Sequence, residues 1–152
     1  MKEINLYSDG SSLGNPGPGG WGTILEYNGK EKELCGGQDN TTNNQMELVG
    51  VIEGLKALKE PCIVNVISDS TYVVKAINEW LKGWIKNNWK NSSKKPVKNL
   101  ELWKEYLEVS KQHKINAFWV KGHAGHEHNE RCDILARTFA ENLKNNKGEE
   151  NE

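Results

Sequence analysis

Ile4 to Gly36 reads INLYSDGSSLGNPGPGGWGTILEYNGKEKELCG, and this stretch decides the fold class. Ile4, Leu6 and Ser8 alternate with Asn5 and Tyr7, the period-2 pattern of a strand, and the strand is expected to end at Asp9. Trp21 to Tyr27 and Lys32 to Gly36 read as two more strands. Asn28-Gly29 between them is a hairpin pair, because both central residues of that tight turn need positive φ. The first pair is joined by the longer glycine-rich segment, so three consecutive antiparallel strands are expected.

Outward from this meander the period changes to 3.6. Thr42 and Gln45 have capping-box spacing, and Leu48, Val51, Ile52, Leu55 and Leu58 form the apolar stripe of a helix that Pro61 stops. Cys62 to Ile67 (CIVNVI) is almost continuously apolar, as expected of a strand buried on both faces, and it ends at Ser68-Asp69. A second helix carries Val73, Ile77, Trp80 and Trp84. Leu100, Trp103 and Leu107 mark another, Ile115 to Val120 a last strand, and Cys132, Leu135 and Phe139 a final helix. The expected fold is mixed α/β, a five-stranded mixed sheet flanked by helices. No repeat or linker divides it. Residues 1–143 form one domain with a protrusion at 80–98, and the polar tail 144–152 is expected to be disordered.

At 152 residues the chain has the length of one domain. No stretch approaches the ~20 apolar residues of a membrane span, and no apolar run of a signal peptide precedes the first strand, so no membrane partner is expected. Cys35, Cys62 and Cys132 are odd in number and widely spaced, which points to a reducing cytoplasm and not to a disulfide framework. The net charge of −1 selects no partner, but its distribution does. Leu81 to Lys98 holds six lysines (Lys82, Lys86, Lys90, Lys94, Lys95, Lys98) and no acid, an anion-binding surface of the kind nucleic acid uses. The alternative is a solvated face.

Four acids occupy suggestive places. Asp9 ends the first strand and Asp69 the buried one, Glu47 sits in the first turn of the first long helix, and Asp133 lies near the start of the last. Ligand crevices of open α/β sheets lie beyond strand ends, where helices begin. Taken singly, each acid has a plainer reading as a turn residue, a cap or a complement to a helix dipole.

The order of short motifs goes further. Asp9-Gly10-Ser11, Gly14-Asn15-Pro16-Gly17, Thr42-Asn43-Asn44, Met46-Glu47-Leu48, Ser68-Asp69-Ser70, Val120-Lys121-Gly122-His123 and Asn129-Glu130-Arg131-Cys132-Asp133 follow one another along the chain. From Met1 to Phe139 the sequence resembles bacterial ribonuclease HI. The resemblance implies an endonuclease that hydrolyses the RNA strand of an RNA–DNA hybrid, working as a monomer. It implies two Mg²⁺ ions, with Mn²⁺ as a substitute, held by Asp9, Glu47, Asp69 and Asp133. Two such ions assist both the attacking and the leaving oxygen of an in-line displacement, and the ends left are 3′-hydroxyl and 5′-phosphate. A mobile histidine of the family matches His123, with a part in proton transfer or product release. Ser12, Asn15, Asn43 and Asn44 resemble minor-groove contacts and Thr42 a DNA-phosphate contact. Lys86, Lys90, Lys94 and Lys95 would neutralise phosphates, and Trp80 would pack on DNA sugars. Trp84 and Trp89 are read as the protrusion's own small core, the alternative being contact with substrate.

Three positions depart from close relatives: Thr71 stands where Gln is usual, Asn40 near a usual arginine, and Ser12 in place of a common Cys. They bear on substrate contacts, while all four carboxylates are present. Gly17-x-Gly19-x-x-Gly22 matches a dinucleotide fingerprint in letters only, since it contains Pro18 and precedes a strand instead of opening a helix. His123, His126, His128 and Cys132 offer a competing zinc site, although their spacing fits no standard finger. A strand-transfer nuclease shares the broad fold but neither this order of acids nor the lysine protrusion.

Overall fold

The alternating residues of the first stretch build the meander: β1 (Lys2–Ser12), β2 (Gly17–Tyr27) and β3 (Lys30–Thr41) pair antiparallel in sequence order. The computed structural model describes residues 1–122 and 126–150, the last four of them as backbone alone. β4 (Cys62–Ser68) joins β1 in parallel and β5 (Lys114–Trp119) joins β4 in parallel, giving one five-stranded mixed sheet in the order β3–β2–β1–β4–β5.

β1, β2 and β3 run beyond the expected strand ends. Ser11 and Ser12 pair with Gly20 and Gly19, and the ladder continues past Asp9 to the close of β1. Gly17 and Gly19, expected ahead of the strand, therefore lie inside β2 together with Gly22. Glycine suits a strand here because a helix lies directly on it: a Cβ at Gly22 would stand 2.5 Å from the Cys132 carbonyl.

That helix is α5 (Glu127–Glu150), which covers one face of β1–β3. It continues through the segment after Leu143 for which disorder was expected, since a helix satisfies its own backbone whatever its side chains. The other face is covered by α1 (Asn43–Lys56), backed by α4 (Leu100–Ser110). Leu6, Leu48, Val51, Ile52, Leu55, Val64, Val66, Val73 and Trp103 form the core between them, with Trp103 fully buried. The capping box is present: Gln45 N donates to Thr42 Oγ1 (3.2 Å) and Thr42 N to Gln45 Oε1 (3.3 Å). Glu47 consequently falls just past the first turn, and Leu58 lies beyond the helix end, half-buried.

β4 is not buried on both faces. Val64 and Val66 are fully buried, while Ile63, Asn65 and Ile67 are half-buried, because α5 covers β1–β3 and leaves this part of the sheet open. Asn65 fits that open face. It donates to Asn5 Oδ1 (3.2 Å) and accepts from Asn116 Nδ2 (3.3 Å), and Asn5 donates on to Glu26 (3.1 Å).

The second helix is continuous but uneven. α2 (Thr71–Lys75) passes through a π-helical turn at Ala76–Trp80 into α3 (Leu81–Lys86). Trp84 and Trp89 are half-buried and pack against the domain core, Trp84 with its ring 5.7 Å from that of Trp103, so the protrusion has no separate core of its own.

Candidate active site

Two strands and two helices bring the acids together. Asp9 stands within β1, opposite Gly22 of β2, and is only 7% exposed. α1 crosses β1 so closely that a side chain at Gly10 would overlap the backbone of Met46 and Glu47, which sets Glu47 beside Asp9. Asp69 follows β4 in the turn that Ser70 closes, with Ser70 Oγ accepting from Val73 N (3.1 Å) as the cap of α2.

Carboxylate oxygens of Asp9, Glu47 and Asp69 all lie within 4.8 Å of one another. Asp133, on α5, is 16% exposed and is held at 2.9 Å by Arg137 one turn along. It is not within that tight trio, but its charge reaches Asp9. The four predicted acids are thus three in close company and one at the rim.

Their electrostatics follow from this geometry. Burial, then the charges of Asp69 and Asp133, push the Asp9 carboxyl up to about 7, against hydrogen bonds with Glu47 and Gly10 N that pull the other way. Glu47 is raised well above the usual carboxylate range, first by burial and then by the neighbouring charge of Asp9. Its Oε2 is shut from solvent with no hydrogen-bond partner among the described residues. An orphaned, buried oxygen amid converging carboxylates is the donor set a hard divalent cation takes, so the residues fit a metal site.

A polar concavity lies beside the acids, lined by Asn15, Thr42, Asn43, Asn44, Gln45, Lys98 and Asn99. Ser12 joins it through its N–H, which donates to Asn43 Oδ1 at 2.6 Å. Four predicted contact residues therefore line one hollow with Ser12 tied to it, and Gln45 and Asn99 are additions to them. Asn99 occupies the N-cap position of α4 without a side-chain capping bond: it takes a left-handed conformation (φ 59°), accepts from Gln45 Nε2 (3.2 Å) and donates to Tyr72 OH (3.1 Å). Lys98 brings a lysine of the basic block to the same hollow.

Lys82, Lys86, Lys90, Lys94, Lys95 and Lys98 are all exposed, and none forms an ion pair among the described residues. Trp80 is 39% exposed at the edge of the ring series Tyr72–Trp80–Trp84–Trp103. His123 lies outside the described residues. The competing zinc site does not assemble among those described: Cys132 is buried against the Tyr7 carbonyl, while His128 Nε2 faces Glu26 and Glu31, both at 3.1 Å. Glu26, Glu31, His128 and Arg131 form a cluster that no sequence pattern indicates.

The family profile described as RNase H matches residues 1–141. The chain belongs to the RNase H family. It is 63% identical over 143 residues to a Ribonuclease H of Sulfurovum sp. (94% of each chain) and 59% identical to one of Campylobacter curvus (95% of this chain, 97% of the other). Among solved structures it is similar to LC9-RNase H1, described as a type 1 RNase H with the type 2 active-site motif, at TM-score 0.84 and 33% identity over 94% of this chain and 74% of that one. The PFV RNase H domain matches at TM-score 0.77 and 29% identity, covering 92% of this chain and 95% of that one. The protein is an RNase H enzyme of a divalent-metal-dependent family, and it carries a carboxylate cluster whose residues could hold such an ion.

Proposed function

We propose that this enzyme cleaves the RNA strand of RNA–DNA hybrids at the Asp9, Glu47, Asp69 and Asp133 cluster with two Mg²⁺ ions, leaving 3′-hydroxyl and 5′-phosphate ends. The observation that carries the reading is the trio of carboxylates within 4.8 Å, two of them pushed up by burial and mutual repulsion. Bound divalent ions would stabilise the attacking and leaving oxygens of an in-line displacement.

The chain's own residues do the rest. Asp9, Glu47 and Asp69 concentrate negative charge in a desolvated corner, and Asp133 supplies it from the rim. Asn15, Asn43 and Asn44 offer amide groups suited to 2′-hydroxyls and base edges of a wide minor groove. Thr42 and Lys98 suit a DNA phosphate, and Lys86, Lys90, Lys94 and Lys95 with Trp80 hold the duplex further along. His123 is assigned proton transfer or product release on the resemblance alone. The enzyme acts as a monomer in a reducing cytoplasm, in keeping with three cysteines all in the free state.

The test is cleavage of matched hybrid, duplex RNA and duplex DNA in Mg²⁺, with the product ends mapped. Hybrid-only cleavage of the RNA strand to 5′-phosphates is expected. Equal cutting of duplex DNA, or activity surviving a chelator, overturns the reading.

A further inference from the structure

The end of β5 is tied to the Ser68-Asp69 turn by two hydrogen bonds. The indole Nε1 of Trp119 donates to the Asp69 carbonyl at 3.0 Å, beside a backbone bond from Val120 N to Ser68 O, also 3.0 Å. Trp119 nevertheless leaves 53% of its surface in water, so its tie to this turn is a polar one. Three residues on, Gly122 approaches the carboxylate itself: a Cβ built there would stand 2.7 Å from Asp69 Oδ2 and 3.5 Å from Cγ.

Gly122 is not among the glycines with positive φ, which are Gly14 and Gly29, so its backbone conformation does not require glycine. All three atoms nearest to that Cβ belong to the Asp69 side chain. Among the described residues, the first thing a methyl group at 122 would meet is therefore a side chain and not the backbone of a packed element. It would meet the one carboxylate that must stay aimed at Asp9 and Glu47.

We infer that Gly122 and Trp119 are positioning residues for Asp69, the glycine by leaving its carboxylate room and the indole by fixing its backbone. The inference rests on the proposed role of Asp69 in holding metal. Its physical content is a separation of effects. The Asp69 side chain can rotate away from an added methyl at small cost to stability, but the rotation opens the trio. Misplacing a reacting group by about 1 Å can cost on the order of a hundredfold in rate, whereas losing one neutral hydrogen bond costs about two- to tenfold.

Gly122→Ala, Trp119→Phe and Asp69→Asn are compared in three measurements: melting temperature, Mg²⁺ affinity of the hybrid-free protein by calorimetry, and steady-state hybrid cleavage across a Mg²⁺ series. For Gly122→Ala the expected result is an unchanged melting temperature and KM, weaker Mg²⁺ binding, and kcat lower by about tenfold to a hundredfold. Trp119→Phe should shift the same quantities in the same direction by about two- to tenfold. Wild-type Mg²⁺ affinity in Gly122→Ala overturns the inference, as does a loss of activity that only tracks a lower melting temperature. If Asp69→Asn is inactive while Gly122→Ala binds Mg²⁺ normally, positioning fails and the metal-site reading stands. If Asp69→Asn cleaves like wild type, the metal-site reading itself fails.

Discussion

The molecule gathers carboxylates twice, with opposite results. Around the start of α5, Glu31 meets His128 Nε2 (3.1 Å) and Arg131 (2.7 Å), Glu26 meets the same His128 nitrogen (3.1 Å), and Glu33 meets Arg131 (3.2 Å). The imidazole is also stacked on Tyr7, ring centres 4.3 Å apart. There Arg131, and then His128, hold the Glu31 carboxyl below its ordinary range. At Asp9, Glu47 and Asp69 the acids are as close, but burial and the charges of neighbouring acids push Asp9 and Glu47 up. Proximity of acids is therefore not the mark of a metal site. The mark is proximity in which burial and neighbouring acids outweigh the pull of any partner, as they do at Asp9 and Glu47.

Asp69→Asn breaks the contrast most severely. It should abolish cleavage, by about a thousandfold or more as for loss of a central catalytic electrostatic group, while hybrid still binds in Mg²⁺ and the protein still folds. Its melting temperature without metal should not fall, since one repelling charge has gone. Cleavage within a few-fold of wild type would remove Asp69 from the ion site.

His123 sharpens it next. His123→Ala should lower kcat by about tenfold to a hundredfold, at or below the low end for a positioned acid–base group, with KM and melting temperature unchanged. Unchanged kcat in a normally folded variant would end the catalytic assignment. Replacing Lys86, Lys90, Lys94 and Lys95 with Ala probes a region whose charges are all positive. KM should rise with kcat retained, the signature of uniform binding, and the salt slope should flatten by about 0.7–0.9 for each phosphate that is no longer neutralised. An unaltered salt slope would reduce the block to a solvated face.

The two acid clusters should also answer pH in opposite directions. The folded pKa of Asp9 is raised to about 7, so its ionisation costs stability, a cost that is absent below its unfolded pKa of ~4 and fully present above ~7. Metal-free protein should lose melting temperature between those limits, and added Mg²⁺ should restore it on the alkaline side. Glu31 is depressed, so its contribution is present above the ordinary carboxylate pKa and fades as the pH falls through its folded value. Thermal melts with and without chelator across that range check both signs. The smallest effect is expected from His128→Ala. It should cost about 1 kcal/mol, or about 2–4 °C, with Mg²⁺ dependence unchanged.

Much of this is legible in the chain because local chemistry and global fold agree. Thr42 and Gln45 announce α1, Asn28-Gly29 the hairpin, and the ordered motifs the four acids. The misreadings share a cause, which is that tertiary partners decide the outcome. Gly17, Gly19 and Gly20 read as a loop, yet they are strand residues, and Gly20, with Gly22 of the expected strand, is thinned to admit α5. CIVNVI reads as covered on both faces, yet among the described residues no helix packs on the side where Asn65 bonds Asn5 and Asn116. The rim position of Asp133, and the clamp of His128 and Arg131 on Glu26, Glu31 and Glu33, depend on side chains about a hundred residues apart that no local pattern relates.

The wide turn at Ala76–Trp80 carries a consequence of another sort. A π turn amounts to one residue inserted into an α-helix, and each residue advances a helix by about 100°. Everything downstream of it, from Leu81 to Lys86, is thereby turned by about that angle relative to a regular helix continuing from Thr71. The compass bearing of the basic face is set by a count of residues and not by their kind. Removing one residue from this turn would leave every lysine in place along the chain and rotate Lys82 and Lys86 about a third of the way around the axis.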